Sequence, residues 1–159
     1  MLDDIQSVTF GLGREVFAVP VPLVREILDY KEPFRIPNGP DHFLGLIDVR
    51  GEGIPTIDLR LRLGMPKAEP TVLTRILILE VPREGRTLTI GLMIDKALSV
   101  SVFPRSAIET PPDIGVAWRS EYIEGVVRQE TGFVVLIDIA RFLTSQDAEL
   151  IDHRCQQAA

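Results

Sequence analysis

An internal repeat is the feature that most limits the fold of this chain. Residues 43–64, FLGLIDVRGEGIPTIDLRLRLG, are echoed by residues 122–143, YIEGVVRQETGFVVLIDIARFL. Three landmark pairs lie 80 positions apart: Gly45 and Gly125, Asp58 and Asp138, and Leu63 and Leu143. At 159 residues the chain suits one domain or two small subdomains with a common core. The repeat therefore predicts two structural units of related design.

Short apolar runs separated by glycine and proline predict a mainly β chain. Residues 7–21 read as a hairpin with its turn at Gly11 and Gly13, and residues 74–94 repeat this pattern with Pro82 and Gly85 in the turn. The run 76–79 shows no polar alternation, which favours a strand buried on both faces. We expect about ten strands, five in each copy, and this spacing favours small barrels over a layered α/β sheet.

The two repeated aspartates have a structural interpretation. Asp58 and Asp138 each follow a strand-like run and open a short apolar segment, DLRLRLG or DIARFL. A carboxylate at that point can accept hydrogen bonds from the free N–H groups of a first helical turn. We therefore predict that both are helix N-caps rather than catalytic carboxylates.

Composition and motifs point away from catalysis. The net charge of −6 argues against a nucleic-acid or anionic-membrane surface, because both need clustered Lys and Arg. The only candidate metal ligands of the His and Cys types are His42, His153 and Cys155, which form no zinc-ligand pattern. Val16 stands where a dinucleotide loop starting at Gly11 would need its third glycine. We predict no enzymatic activity, no cofactor and no metal.

The compartment is predicted from the same composition. No apolar run approaches the ~20 residues that span a bilayer, and the acidic start MLDDIQ is unlike a signal peptide. A single cysteine, Cys155, cannot form an internal disulfide, which favours a reducing cytoplasm.

Two local features remain open. Asp48-Val49-Arg50-Gly51 occurs in the first copy only. It is either a plain hairpin turn with solvated charges, or a binding site. In the second case the Arg50 guanidinium, and a backbone at Gly51 that a partner can approach closely, would contact that partner. Trp118, the only tryptophan, is either a packed loop residue or a binding anchor.

Six blocks in order give the chain a resemblance to the CheW family, the adaptors of bacterial chemotaxis arrays. The blocks are residues 13–27, 37–40, 43–64, 74–81, 90–100, and the pair 122–127 with 133–143. The resemblance implies a mainly β fold of two five-stranded, SH3-like barrels with a few short helices. It implies a CheW-like domain over residues 1–145, with barrel one mainly 13–66 and barrel two mainly 73–143, and a tail over 146–159. The N- and C-terminal segments are candidates for exchange between the barrels.

The resemblance also implies a function. CheW-like adaptors have no catalytic activity. They couple chemoreceptors to a CheA-type histidine kinase by binding the kinase regulatory domain and the cytoplasmic receptor tip. They are cytoplasmic and are recruited to membrane receptor arrays. Two alternatives stay open: an adaptor of a type IV pilus or other kinase pathway, and a stand-alone regulatory or sensor barrel.

The family pattern implies a receptor-binding groove in this chain. Val24, Glu26 and Ile27 match its V-x-E-I stretch, and Arg50 with Gly51 matches its Arg-Gly turn, in which Glu26 pairs with Arg50. Asp48 replaces the usual asparagine of that turn and adds a negative charge beside the groove. The apolar lining is predicted to be completed by Leu28, Leu98 and Val100.

Overall fold

The computed structural model describes residues 4–37, 39–83, 85–109, 123–130 and 132–143. Trp118, His153, Cys155 and the predicted tail 146–159 lie outside the described residues. The strands, in chain order, are β1 (Asp4–Leu12), β2 (Glu15–Pro20), β3 (Val24–Asp29), β4 (Phe43–Val49), β5 (Glu52–Asp58), β6 (Arg75–Arg83), β7 (Arg86–Ile94), β8 (Lys96–Pro104), β9 (Ile108–Glu109), β10 (Ile123–Gln129) and β11 (Gly132–Ile137). Within these described residues the α-helices are α1 (Leu59–Arg62) and α2 (Ile139–Phe142), and single 3-10 turns occupy Val21–Leu23 and Arg105–Ala107. The predicted mainly β fold is confirmed.

The strands form two sheets. The six-stranded sheet has the order β8-β1-β2-β11-β10-β9, and the five-stranded sheet has the order β3-β6-β7-β5-β4. Neighbouring strands are antiparallel except for β2 with β11 and β5 with β7, which pair in parallel. The two parallel pairs occupy equivalent places in the two sheets, as expected for a repeated design.

The two halves of the repeat exchange their hairpins. The N-terminal hairpin β1–β2 joins the strands of the second half, and the hairpin β6–β7 joins the strands of the first half. Residues 75–94 therefore pair with residues 24–58, whereas the predicted boundary at residue 73 assigned them to the second barrel. The apolar pattern of a hairpin shows that its strands are buried but does not specify which strands they pair with, so sequence alone could not place this hairpin.

Three apolar clusters pack the part of the chain that the structure describes. The largest cluster contains residues of both sheets and both helices, among them Phe10, Phe17, Ile57, Leu92 and Phe142. Each sheet also encloses a smaller cluster of its own. The central cluster therefore joins the two sheets into one packed unit.

Strand β6 explains the apolar run without alternation. Residues 76–79 are all fully buried. Leu77 and Leu79 pack in the central cluster, while Ile76 and Ile78 pack inside the five-stranded sheet. Because successive side chains of a strand point to opposite faces, a strand between two cores must be apolar on both. One detail was wrong: Pro82 lies in β6 opposite Thr87, not in the turn.

Both repeated aspartates begin a helix. Asp58 Oδ1 accepts a hydrogen bond from the Leu61 N–H at 3.3 Å, and Asp138 Oδ1 accepts one from the Arg141 N–H at 3.2 Å. Both residues have extended backbone angles, which an N-cap requires. The 80-residue repeat thus marks the same strand-to-helix corner in each half.

Candidate functional site

A polar seam joins the two edges of the five-stranded sheet. Its edge strands β3 and β4 lie at opposite ends of the strand order, and curvature of the sheet brings them together. Arg25 Nη2 donates to Glu52 Oε1 at 3.2 Å, and Lys31 Nζ donates to the Asp48 carbonyl at 2.6 Å. These contacts close the sheet into a barrel-like unit and place the end of β3 beside the β4–β5 hairpin.

The β4–β5 turn holds an arginine in a backbone conformation that few residues adopt. Arg50 and Gly51 connect the strands with φ values of +51° and +86°, and both positive angles suit a type I′ hairpin turn. Arg50 is the only non-glycine residue with positive φ among the described residues. Asp48 Oδ1 accepts a hydrogen bond from the Gly51 N–H at 3.0 Å and steadies the turn. Such strain persists where the surroundings fix the residue, and it is concentrated at functional sites.

Arg50 and Glu26 form a two-point ion pair across the seam. Arg50 Nη1 donates to Glu26 Oε1 at 3.1 Å, and Arg50 Nη2 donates to Glu26 Oε2. The hydrogen bond from Arg50 lowers the pKa of Glu26, and the positive charges of Arg50 and Arg25 add to this effect. The same contact raises the pKa of Arg50. The Arg50 side chain is still 66% exposed, so the guanidinium is held in place yet remains accessible.

The apolar residues predicted on β3 divide by strand alternation. Val24 packs against the central cluster and Leu28 against the cluster inside the five-stranded sheet. Ile27 points outward and is 41% exposed. Of these three side chains, Ile27 is therefore the one most open to a partner, while Val24 and Leu28 also serve the core.

The two residues predicted on β8 are both exposed. Val100 is 66% exposed and Leu98 is 45% exposed. A β-bulge interrupts the pairing of β8 with β1 where Leu98 lies, between Ala97 and Ser99. The bulge places Leu98 in a cleft that Ser99 and Ser101 also line, whereas Val102, further along β8, lines a separate cleft.

An open cleft lies at one end of strands β1, β2 and β8 of the six-stranded sheet. Its volume is about 590 Å³, and its lining comes from β1, β2, β8 and the 3-10 turn before β3: Asp4, Ile5, Gln6, Pro20, Pro22 and Val102. Val102 follows Val100 by two positions in one strand, so their side chains point the same way. Sequence analysis missed this cleft, although the alternation Leu98-Ser99-Val100-Ser101-Val102 could have extended the predicted stripe to Val102.

A second cleft, also of about 590 Å³, opens on the six-stranded sheet. Leu98, Phe103 and Phe133 contribute apolar surface, and Thr9, Ser99 and Ser101 contribute hydroxyls. The Thr9 and Ser99 hydroxyl oxygens lie 3.0 Å apart, and those of Ser99 and Ser101 lie 3.2 Å apart. These three hydroxyls hydrogen-bond to one another, so each already has a partner within the protein.

The part of the chain that the structure describes contains no group of three or more His, Cys, Asp or Glu side chains placed to hold a metal ion. No helix in those same residues is long and apolar enough to cross a membrane. The arrangement at the seam combines an exposed guanidinium, a carboxylate that holds it in place and, on β3, the exposed aliphatic side chain of Ile27.

Comparison with known proteins identifies the family. A family model described as the CheW-like domain matches residues 6–147. The chain belongs to the CheW family. The chemotaxis protein CheW of Bacillus subtilis is 32% identical over 145 residues, which cover 91% of this chain and 90% of that protein. CheW of Rhizobium meliloti is 29% identical over 144 residues, with coverage of 91% and 90%.

A solved structure supports the same conclusion for the fold. The crystal structure of the scaffolding protein TtCheW from Thermoanaerobacter tengcongensis superposes with a TM-score of 0.78 at 26% identity, covering 90% of each chain. The resemblance inferred from six sequence blocks is thus confirmed, and the two curled sheets are consistent with the SH3-like barrels of the CheW fold.

Proposed function

We propose that this CheW-family protein is a non-enzymatic adaptor that couples chemoreceptors to a CheA-type histidine kinase. In this proposal it is cytoplasmic and reaches the membrane through receptor arrays. Family membership supports the scaffold role, and the surface around Arg50 supports the receptor-binding part of it.

The observation that carries the proposal is the display of Arg50. A hairpin turn without function would place glycine, asparagine or aspartate at its first position, because arginine is strained at positive φ. Here arginine occupies that position, Glu26 fixes its guanidinium, and two-thirds of the side chain stays open to solvent. A fixed planar guanidinium is well suited to bind a carboxylate or backbone carbonyls of a partner.

The receptor tip is an amphipathic helical hairpin in this proposal. Ile27, which follows Glu26 on β3, and Val100 and Val102 on the other sheet offer exposed aliphatic contacts. Val102 also lines the open cleft that is formed with residues of β1 and β2. A helix could use spaced apolar anchors along such a surface and a polar contact at Arg50.

A second, separate surface is needed for the kinase regulatory domain. Phe133, on the β10–β11 hairpin of the six-stranded sheet, is 50% exposed, and Val72 and Leu73 are exposed beyond α1. Exposed apolar side chains at several places suit a protein with more than one partner. We expect the kinase contact to be transient, with an affinity near the micromolar range, roughly −8 kcal/mol.

The receptor part is tested by titrating a soluble receptor tip into wild type, Arg50→Ala, Arg50→Lys and Glu26→Ala. We expect Arg50→Ala to weaken receptor binding by roughly 1–3 kcal/mol. Arg50→Lys should restore little of this loss, because an ammonium cannot reproduce a two-point contact. Glu26→Ala should weaken binding as well, since it frees the guanidinium.

Arg128→Ala is the matched control. Arg128 also lies on a hairpin strand, pairs with Glu109 at 3.5 Å and is 70% exposed, but it belongs to the other sheet. Its receptor affinity should equal that of wild type. If Arg50→Ala binds the receptor tip with wild-type affinity, the proposed receptor site is wrong. Equal losses of kinase and receptor binding in this variant would indicate misfolding instead.

The pathway can be assigned independently. A neighbouring gene for a CheA-type kinase or for a chemoreceptor would support the chemotaxis adaptor, and type IV pilus genes would support the alternative pathway. A pull-down with the regulatory domain of the cognate kinase separates both from a stand-alone sensor barrel, which would bind no kinase.

A further inference from the structure

Two arginines of helix α1 bond to segments of the other half of the molecule. Helix α1 follows β5 of the five-stranded sheet. Arg60 Nη1 donates to Asp95 Oδ2 at 2.6 Å, at the point where the chain leaves that sheet. Arg62 Nη2 donates at 2.9 Å to the carbonyl of Phe142 in α2, which follows β11 of the six-stranded sheet. One short helix of the first half is thus tied at two points to the second half.

Asp95 is the single residue between β7 of one sheet and β8 of the other. Its Oδ2 also accepts a hydrogen bond from the Gly13 N–H at 2.6 Å, and its own N–H donates to the Gly11 carbonyl at 3.2 Å. The Arg60 side chain is only 14% exposed, and its Nε donates to the Pro66 carbonyl at 2.9 Å. Charge-assisted bonds at such low exposure are stronger than those of a solvated surface pair. They fix the point at which the chain enters β8.

The contact between Arg62 and Phe142 joins equivalent places of the repeat, because the two positions are 80 apart. The Arg62 guanidinium carbon also lies 4.7 Å from the centroid of the Phe142 ring. Corresponding residues of two related units meet only near the axis that relates them. The second copy has Ala140 and Phe142 where the first has Arg60 and Arg62. The two arginines that reach the other half are therefore a property of α1 and not of the repeated design.

We propose that Arg60 and Arg62 are positioning residues for receptor binding, because they set the angle between the two sheets. Apolar burial is non-directional, whereas a hydrogen bond needs its donor and acceptor in line. The central cluster therefore holds the sheets together, and the α1 arginines fix their relative orientation. This inference rests on the proposed function, in which the receptor tip contacts Arg50 on one sheet and Val100 on the other. Without the two arginines a smaller fraction of molecules has the binding orientation, and the apparent receptor affinity falls with that fraction.

The angle is measured by the distance between spin labels on the two sheets. Glu80 of β6 and Glu124 of β10 are exposed, and each can be replaced by a labelled cysteine once Cys155 is changed to serine. Double electron–electron resonance should give a narrow distance distribution when α1 is intact. The double variant Arg60→Gln/Arg62→Gln, which lacks both guanidinium groups, should give a clearly broader one. An unchanged distribution would overturn the proposal.

The unlabelled double variant is then titrated with the soluble receptor tip and with the kinase regulatory domain. Receptor binding should weaken about tenfold, whereas kinase binding, for which a separate surface is proposed, should stay within about twofold. Lower stability alone would not produce this difference, since it leaves the affinity of the folded molecules unchanged. Arg60→Lys should keep part of the receptor affinity, because an ammonium can still pair with Asp95. If circular dichroism shows the double variant to be unfolded, Arg60→Gln and Arg62→Gln are measured singly, and each should show a smaller change in the same direction.

Arg141→Gln is the matched control. Arg141 lies on α2, pairs with Asp138 of its own half at 3.7 Å and is 74% exposed. This variant should keep both the wild-type distance distribution and the wild-type receptor affinity. A broader distribution with unchanged receptor affinity in the double variant would overturn this inference alone, as would equal losses for both partners. A wild type that binds no receptor tip would contradict the proposed function and this inference with it.

Discussion

Arg50 and Glu26 are held together at a strained turn. Changes at this pair should therefore affect receptor binding more than the free energy of unfolding. Arginine at φ +51° costs backbone energy, and its exposed ion pair contributes little stability in return. Asparagine adopts that conformation more readily. We predict that Arg50→Asn keeps or raises the free energy of unfolding, by up to ~1 kcal/mol, while it weakens receptor binding.

Urea unfolding and receptor titration of the same Arg50→Asn preparation check this prediction. Val49, which precedes the turn, is buried, and its packing should not change in this variant. If the variant loses more than about 1 kcal/mol of stability, the ion pair holds the sheet edges closed and the functional interpretation of the strain is wrong.

Asp58 should give the protein a distinctive pH dependence. Its side chain is fully buried, and burial raises its pKa above the usual 3.8, although the Leu61 and Arg60 N–H groups oppose the shift. Since the folded pKa exceeds the unfolded one, the stabilising contribution of Asp58 is complete below the unfolded pKa. It is lost as pH rises through the folded pKa.

Asp58→Asn keeps a cap acceptor and removes this titration. The free energy of unfolding of the variant relative to wild type should therefore increase with pH over that window and become constant above it. Asp138→Asn, at the partly exposed equivalent cap, measures the effect of the amide alone. Parallel pH profiles for wild type and Asp58→Asn would show that Asp58 does not titrate as stated.

At the scale of the elements, the repeated glycines allow a neighbouring segment to approach closely. A Cβ at Gly45 would lie 2.1 Å from the Phe34 carbonyl oxygen, and one at Gly125 would lie 2.3 Å from Ile108 Cγ2. Each glycine therefore admits the backbone or side chain of the segment that pairs with its strand. Close packing therefore explains why a glycine recurs at the same place in both halves of the 80-residue repeat.

Gly45→Ala should lower the free energy of unfolding by at least about 2 kcal/mol, since strain at φ +128° and the clash act together. Gly64→Ala is the control: its φ is +82°, but a Cβ there has nothing within 4 Å. It should cost only about 1 kcal/mol. Urea titration of both variants compares them, and equal losses would mean that the clash at Gly45 is relieved by movement.

The sequence was informative where local chemistry decides the structure. Asp58 and Asp138 were predictable as caps because an N-cap needs only its own first turn. The run at residues 76–79 predicted a doubly buried strand for the same kind of reason. The partner of hairpin β6–β7 was not predictable, because its strands would be equally buried in either sheet. The alternation in β3 also could not show that Val24 and Leu28 reach two different cores.

At the scale of the whole molecule, the exchanged hairpins and the central cluster make the two sheets interdependent. Leu77 is fully buried in that cluster, in a strand of one sheet, and contacts a core that includes residues of the other. We predict that Leu77→Ala costs about 2–5 kcal/mol. It should lower amide hydrogen-exchange protection equally in β1–β2 and in β4–β5, because both depend on one core.

Val127→Ala tests the contrast, since Val127 lies in the small cluster of the six-stranded sheet. Its effect on local exchange should be largest in that sheet. Two separate unfolding transitions in wild type would contradict the single-unit account.

The adaptor role is tested most directly by asking whether the protein bridges its two partners. The cognate kinase and assemblies bearing the receptor tip are mixed with wild type, Arg50→Ala or no adaptor, and the assemblies are sedimented. The account predicts that the kinase sediments only with wild type, while Arg50→Ala still binds the kinase in solution but leaves it in the supernatant. Kinase that sediments equally without the adaptor, or never sediments with wild type, would contradict it.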